Sequence, residues 1–133
     1  MKYIKTIYEF INESSSDKLT LISIKEDGSL FGTSYYSKYV RGDHKFLTIQ
    51  SSINGSVGEI EYGIVDNDTV EIVSVFIRKE FRGGKYGKST LNEFKRILKN
   101  PKIILKVTPQ SKSFWTHMGF RPMSGTKDYY ALE

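Results

Sequence analysis

Val70 to Ile77 reads VEIVSVFI, an almost unbroken apolar run of strand length. Only Glu71 and Ser74 interrupt it, so neither face suits solvent, and a strand buried on both faces belongs in the middle of a covered sheet. The next stretch, RKEFRGGKYGKST, is equally restrictive, being basic and glycine-rich. From Gly87, the apolar residues Leu91, Phe94, Ile97 and Leu98 recur at helical spacing, which predicts a helix over Gly87 to Lys99 that Asn100-Pro101 stops. Ile103 to Val107 is a further apolar strand. Strand, loop, helix and strand in that order commit the chain to an α/β fold.

The remaining segments fit around this unit. Tyr3, Ile4, Ile7, Tyr8 and Ile11 predict an amphipathic helix over residues 2–13, ended by Ser14, Ser15 and Ser16. Leu19 to Lys25 is a predicted strand, Asp27-Gly28 a hairpin turn, and residues 31–44 a loop or short irregular helix. Strands are also predicted at Lys45 to Gln50 and Val57 to Val65. The second alternates, with Ile60, Tyr62 and Ile64 on one side and Glu59, Glu61 and Gly63 on the other. A short helix is expected over Lys112 to Met118 with Gly119 as its C-terminal cap, then two strands flanking Ser124-Gly125. With 133 residues and no repeat or low-complexity linker, residues 1–133 are expected to form a single domain.

Composition excludes several classes. There is no cysteine, which removes disulfides, thiolate metal sites and thiol nucleophiles and fits a cytoplasmic location. His44 and His117 are distant in sequence and lack a carboxylate cluster, so no metal site is expected and both are predicted to be surface residues. No long apolar run suggests a signal peptide or membrane span. The formal net charge of +5 suits a nucleic acid, an acidic partner or a phosphorylated cofactor, and equally a plain basic surface. Part of that charge is local: Arg78, Lys79, Arg82, Lys85 and Lys88 cluster around the glycine-rich loop.

That loop superficially matches a nucleotide-binding loop through Gly87-Lys88-Ser89. The match fails on spacing, because the required earlier glycine falls on Arg82. A basic loop between a strand and a helix still suits a phosphate, since free N–H groups and the helix dipole favour an anion there. A strand-to-helix turn without function has the same composition, and both alternatives stand on the loop alone.

The wider pattern IRKEFRGGKYG, helix, IILKV, SFWTHMGF resembles the Gcn5-related N-acetyltransferase (GNAT) superfamily. That family has Val-x-Pro-x-Tyr, then Arg-x-x-Gly-x-Gly, a helix, a strand, and Phe-Tyr-x-x-x-Gly-Phe. Ile77, Phe81, Arg82 and Gly87 fall on the first two motifs, and Phe114, Gly119 and Phe120 on the last. The resemblance covers about residues 57–123. It implies a GNAT-like mixed sheet, flanked by helices and splayed after residue 77, with acetyl-CoA in the V. The pyrophosphate would lie on N–H groups of Arg82, Gly83, Gly84, Lys85, Tyr86, Gly87 and Lys88, with Arg82 and Lys88 offsetting its charge. The pantetheine arm would run along the backbone of Val75 and Ile77, and the N–H of one of them, Val75 in preference to Ile77, would polarise the thioester carbonyl. VEIVSVFI also resembles the strand of the histone-acetyltransferase branch whose glutamate, here Glu71, acts as base through a water. Glu59 and Glu61 are alternatives that read as a plain solvent face.

The sequence departs from the family in three places. Lys85 replaces the first loop glycine, Trp115 replaces the tyrosine that usually serves as general acid, and Thr108 and Ser111 replace the usual Asn and Ala. Ser111 or Ser113 could assist the leaving thiolate. The resemblance thus implies an acetyl-CoA-dependent N-acetyltransferase acting on an amine by direct attack. The alternatives are a non-catalytic CoA-binding or protein-interaction module and, on charge and the tyrosines at 35, 36 and 39, a nucleic-acid-binding domain.

Overall fold

The structure is a computed structural model that describes residues 17–23, 37–84 and 86–133. The helix expected over residues 2–13, the hairpin turn at 27–28, the strand beyond Ser23 and the position of Lys85 lie outside the described residues. Among the described residues, seven strands form one sheet: β1 (Leu19–Ser23), β2 (Lys45–Ser51), β3 (Gly55–Asp66), β4 (Thr69–Ile77), β5 (Lys102–Lys106), β6 (Arg121–Pro122) and β7 (Tyr129–Leu132). Their order is β1-β2-β3-β4-β5-β7-β6. All neighbours are antiparallel except β4 and β5, which are parallel and joined through helix α1 (Tyr86–Ile97). The short helix α2 (Lys112–His117) links β5 to β6.

The apolar run that marks β4 as central therefore lies fourth of seven, and α1 begins one residue earlier than its periodicity predicts. Lys99 and Asn100 both take left-handed backbone angles, and the Asn100 N–H bonds the Lys95 carbonyl at 2.7 Å, which ends the helix. Leu91 and Phe94 of α1 pack on Ile60, Tyr62, Ile72, Ile103 and Leu105 of the sheet, with the Phe94 ring edge-on to Tyr62 at 5.1 Å. These residues form the main core.

Two irregularities open the sheet. Glu61 pairs with Ser74 but Tyr62 with Ile72, so Val73 is an extra residue bulging out of β4. The parallel ladder to β5 holds only four pairs, from Thr69 with Lys102 to Ile72 with Leu105. The strands part after Ile72, nearer the start of β4 than the expected opening after residue 77, because the bulge diverts β4 before its apolar run ends.

Candidate active site

Beyond Ile72 the diverging strands leave a cleft of about 670 Å³. Ile60, Ile72, Leu91 and Leu105 close its inner end; Val75 and Ile77 form one wall, and Lys106 and Thr108 the other. Main-chain groups alternate sides along a strand. Since the Arg78 N–H donates to the Val57 carbonyl of β3 at 2.8 Å, Val75 and Ile77 turn their N–H and C=O groups away from β3, toward the cleft. These are the two residues whose backbone the sequence points to.

The glycine-rich loop lies at the cleft mouth. Arg82, Gly83, Gly84 and Gly87 line it, and Gly83 takes φ +79°, a left-handed conformation that side chains strain to adopt. A Cβ on Gly87 would approach the Phe114 ring to 2.9 Å, so glycine is what lets α2 close over the start of α1. Arg82 is exposed but folds back onto the strand end. Its Nε donates to the Ile77 carbonyl at 2.6 Å and its guanidinium lies 5.2 Å from the Phe76 ring centroid. Lys88 is exposed on α1 and is not part of the cleft wall.

Tyr86 is the first residue of α1, and its ring is buried, edge-on to Phe81. Its hydroxyl points away from the cleft mouth and donates to Asp17 Oδ2 at 2.5 Å, while Asn54 Nδ2 donates to it at 2.8 Å. Tyr86 is not itself among the residues that line the cleft, although its ring packs on Phe81, which is. Asp17 also accepts from Ser51 and Ser52. Burial pushes its carboxyl up, but the bonds from Tyr86, Ser51 and Ser52 outweigh this and hold it below the usual carboxylate range.

The opposite face of the sheet is polar and buried. Glu71 is fully buried on it, behind the point where β4 and β5 part rather than on the cleft wall. Ser37 Oγ donates to Glu71 Oε1 at 2.5 Å, and the Tyr129 hydroxyl donates to Oε2 at 3.0 Å. Ser37 Oγ in turn accepts the N–H groups of Tyr39 and Val40, which fixes its donor direction.

Glu59 and Glu61, expected on a solvent face, are only 3% and 2% exposed. The segment from Ser37 to His44 runs over this face, and the Arg41 N–H bonds the Ile64 carbonyl of β3 at 2.8 Å. His44 is correspondingly not a plain surface residue: its Nδ1 lies 2.7 Å from Glu61 Oε2. His117, by contrast, is exposed as expected.

Ser37, Tyr129 and Asp17 are the residues that sequence reasoning missed. They reach their partners across 34, 58 and 69 positions of chain. Trp115 lines the cleft where the family has tyrosine, packed edge-on to Phe114 and Phe120. Ser111 also lines the cleft, but its hydroxyl is engaged with Thr108, and Ser113 is exposed outside the cleft wall. Among the described residues no group of His, Asp or Glu could hold a metal, and no helix is long and apolar enough to cross a membrane.

Comparison with known proteins agrees with this architecture. A Klebsiella pneumoniae protein described as an acyl-CoA N-acyltransferase superposes with a TM-score of 0.60 at 12% identity, covering 88% of this chain and 97% of that one. Gcn5 from Tetrahymena gives 0.56 at 11% identity over 72% and 69% of the two chains. A GNAT-family acetyltransferase from Staphylococcus aureus gives 0.52 at 24% identity over 66% of each. These likenesses are to the fold. No curated protein matches the sequence. The sequence pattern of the acetyltransferase (GNAT) family matches residues 2–120, most of the chain, and the chain belongs to that family.

Proposed function

We propose that this protein transfers an acetyl group from acetyl-CoA to an amine by direct attack. The observation that carries the proposal is the cleft between β4 and β5. Main-chain groups of Val75 and Ile77 face it, and a glycine-lined helix start stands at its mouth. Its size is that of a small-molecule site, and its chemistry suits an acyl-CoA. The apolar inner end excludes water, the strand edge offers backbone partners to a pantetheine arm, and the N-terminus of α1 favours the pyrophosphate.

In this mechanism the Val75 N–H stabilises the negative charge that develops on the thioester oxygen as the amine nitrogen bonds to the carbonyl carbon. Glu71, too deep to touch an acceptor directly, takes the amine proton through a water, with Ser37 and Tyr129 holding its two oxygens in place. The C–S bond then breaks and the thiolate takes a proton from solvent, because Trp115 has none to give and the Ser111 hydroxyl is committed to Thr108. No covalent enzyme intermediate is required.

Calorimetry with acetyl-CoA is the direct test, combined with thiol release across a panel of primary amines. Binding at micromolar concentrations and amine-dependent release are expected. Absence of binding overturns the proposal, and binding without release from any amine overturns its catalytic part.

A further inference from the structure

The Tyr86 hydroxyl has no part in that mechanism, yet it is among the most heavily bonded groups near the cleft. It ties together three distant pieces of chain: Asp17 before β1, the turn between β2 and β3 at Ser51 to Asn54, and the first residue of α1. The turn does not need it. Ser51 Oγ already accepts the N–H groups of Ile53 and Asn54, and Asp17 already holds Ser51 and Ser52. Nor does the core need a hydroxyl at this position, since phenylalanine would supply the same ring against Phe81. What the hydroxyl adds is a fixed point on the residue where the glycine-rich loop becomes a helix.

We propose that Tyr86, Asp17 and Asn54 form an anchor that positions the N-terminus of α1 for acyl-CoA, so that residues outside the cleft set its affinity. This rests on acyl-CoA occupying the cleft, as in the proposed function. The donors that would receive the pyrophosphate are backbone N–H groups on glycine-rich chain, and such chain is costly to order. Bonds between the first helical residue and a carboxylate just before β1 and a side-chain amide in the β2–β3 turn meet that cost before the ligand arrives, which is preorganisation. The coupling is reciprocal: occupation of the loop should tighten the docking of Asp17 and β1 against the sheet.

The test compares wild type with Tyr86→Phe, which removes only the hydroxyl, and Asn54→Ala, which removes one neutral bond at an exposed turn. Acetyl-CoA affinity is measured by calorimetry, thermal stability is measured without ligand, and amide exchange over residues 19–23 is monitored with and without acetyl-CoA. The expected result is about tenfold weaker binding for Tyr86→Phe and about threefold for Asn54→Ala, in line with a charged and a neutral hydrogen bond. Acetyl-CoA should slow exchange over residues 19–23 in wild type and not in Tyr86→Phe. If Tyr86→Phe does not fold, Asn54→Ala still decides by the same two readouts. A folded variant with lowered melting temperature, unchanged affinity and ligand-dependent protection of β1 overturns the anchor and leaves the proposed function standing. A wild type that does not bind acetyl-CoA overturns both.

Discussion

On the α1 side of β4, Ile60, Ile72, Leu91 and Leu105 leave an apolar space whose polar partners are main chain. On the other side, Glu59, Glu61 and Glu71 are buried among hydroxyls and an imidazole. The two faces of one sheet thus carry two kinds of site, and β4 contributes to both through Ile72 and Glu71. The first is defined by what the sheet lacks, a ladder to β5 beyond Ile72, and tolerates any apolar side chain of suitable size. The second is defined by specific donors, and each buried carboxylate oxygen depends on a partner to remain buried. Substitutions on the two faces should therefore fail differently.

The largest expected effect is on the polar face. Glu71→Gln should lower the turnover number for amine acetylation by about 10²–10⁴-fold, the usual worth of a positioned proton acceptor. Acetyl-CoA affinity should hardly change, since Glu71 is not on the cleft wall. Steady-state kinetics beside calorimetry separates the two, and an equal loss in both would erase the distinction between the faces. Next is Tyr129→Phe, which removes the donor to Glu71 Oε2. Denaturant unfolding should show a loss of about 1–3 kcal/mol, the cost of a buried acceptor deprived of a partner.

The cleft face should answer with the opposite sign. Thr90 lines the cleft and is 1% exposed, and its Oγ1 has no hydrogen-bond partner among the described residues. Thr90→Val keeps the shape and removes the stranded hydroxyl, so stability should rise by up to about 1 kcal/mol. A fall would mean that the hydroxyl is satisfied in solution. The smallest effect concerns Asp17. Its carboxyl in the folded chain is held below the ordinary 3.8. It therefore contributes stability that is present above that value and is lost as pH falls through the lower folded value. Melting temperatures measured from about pH 5 to pH 2 should drop less steeply for Asp17→Asn, by a margin that solvent screening keeps small.

The two faces also differ in how far the sequence reveals them. β4, α1 and β5 declare themselves through apolar runs and period, and the cleft is legible because Val75 and Ile77 lie at the end of an identifiable strand that leads into an identifiable loop. The polar face is not. Alternation in β3 separates Glu59 and Glu61 from Ile60 and Tyr62, but cannot say whether another segment covers the glutamates. The covering segment, Ser37 to His44, has no period of its own. Glu71 is visible as a polar residue in an apolar strand, whereas Tyr129 sits in a short final strand where a tyrosine looks like ordinary core. The opening after Ile72 is misplaced by the sequence for a similar reason. A bulge at Val73 changes register, and register depends on the partner strand.

Only four parallel pairs join β4 to β5. In mechanical terms the sheet is two plates sharing a short seam, with α1 as a brace across one side. A plate joint of that kind is weakest in opening and strongest in shear along the seam. On the proposed function, an extended ligand lying between the plates and bonded to the backbone of Val75 would add rungs where the seam ends. Binding there would lengthen the joint, and the resistance of the whole sheet to prying apart would become a property of the bound molecule as much as of the chain.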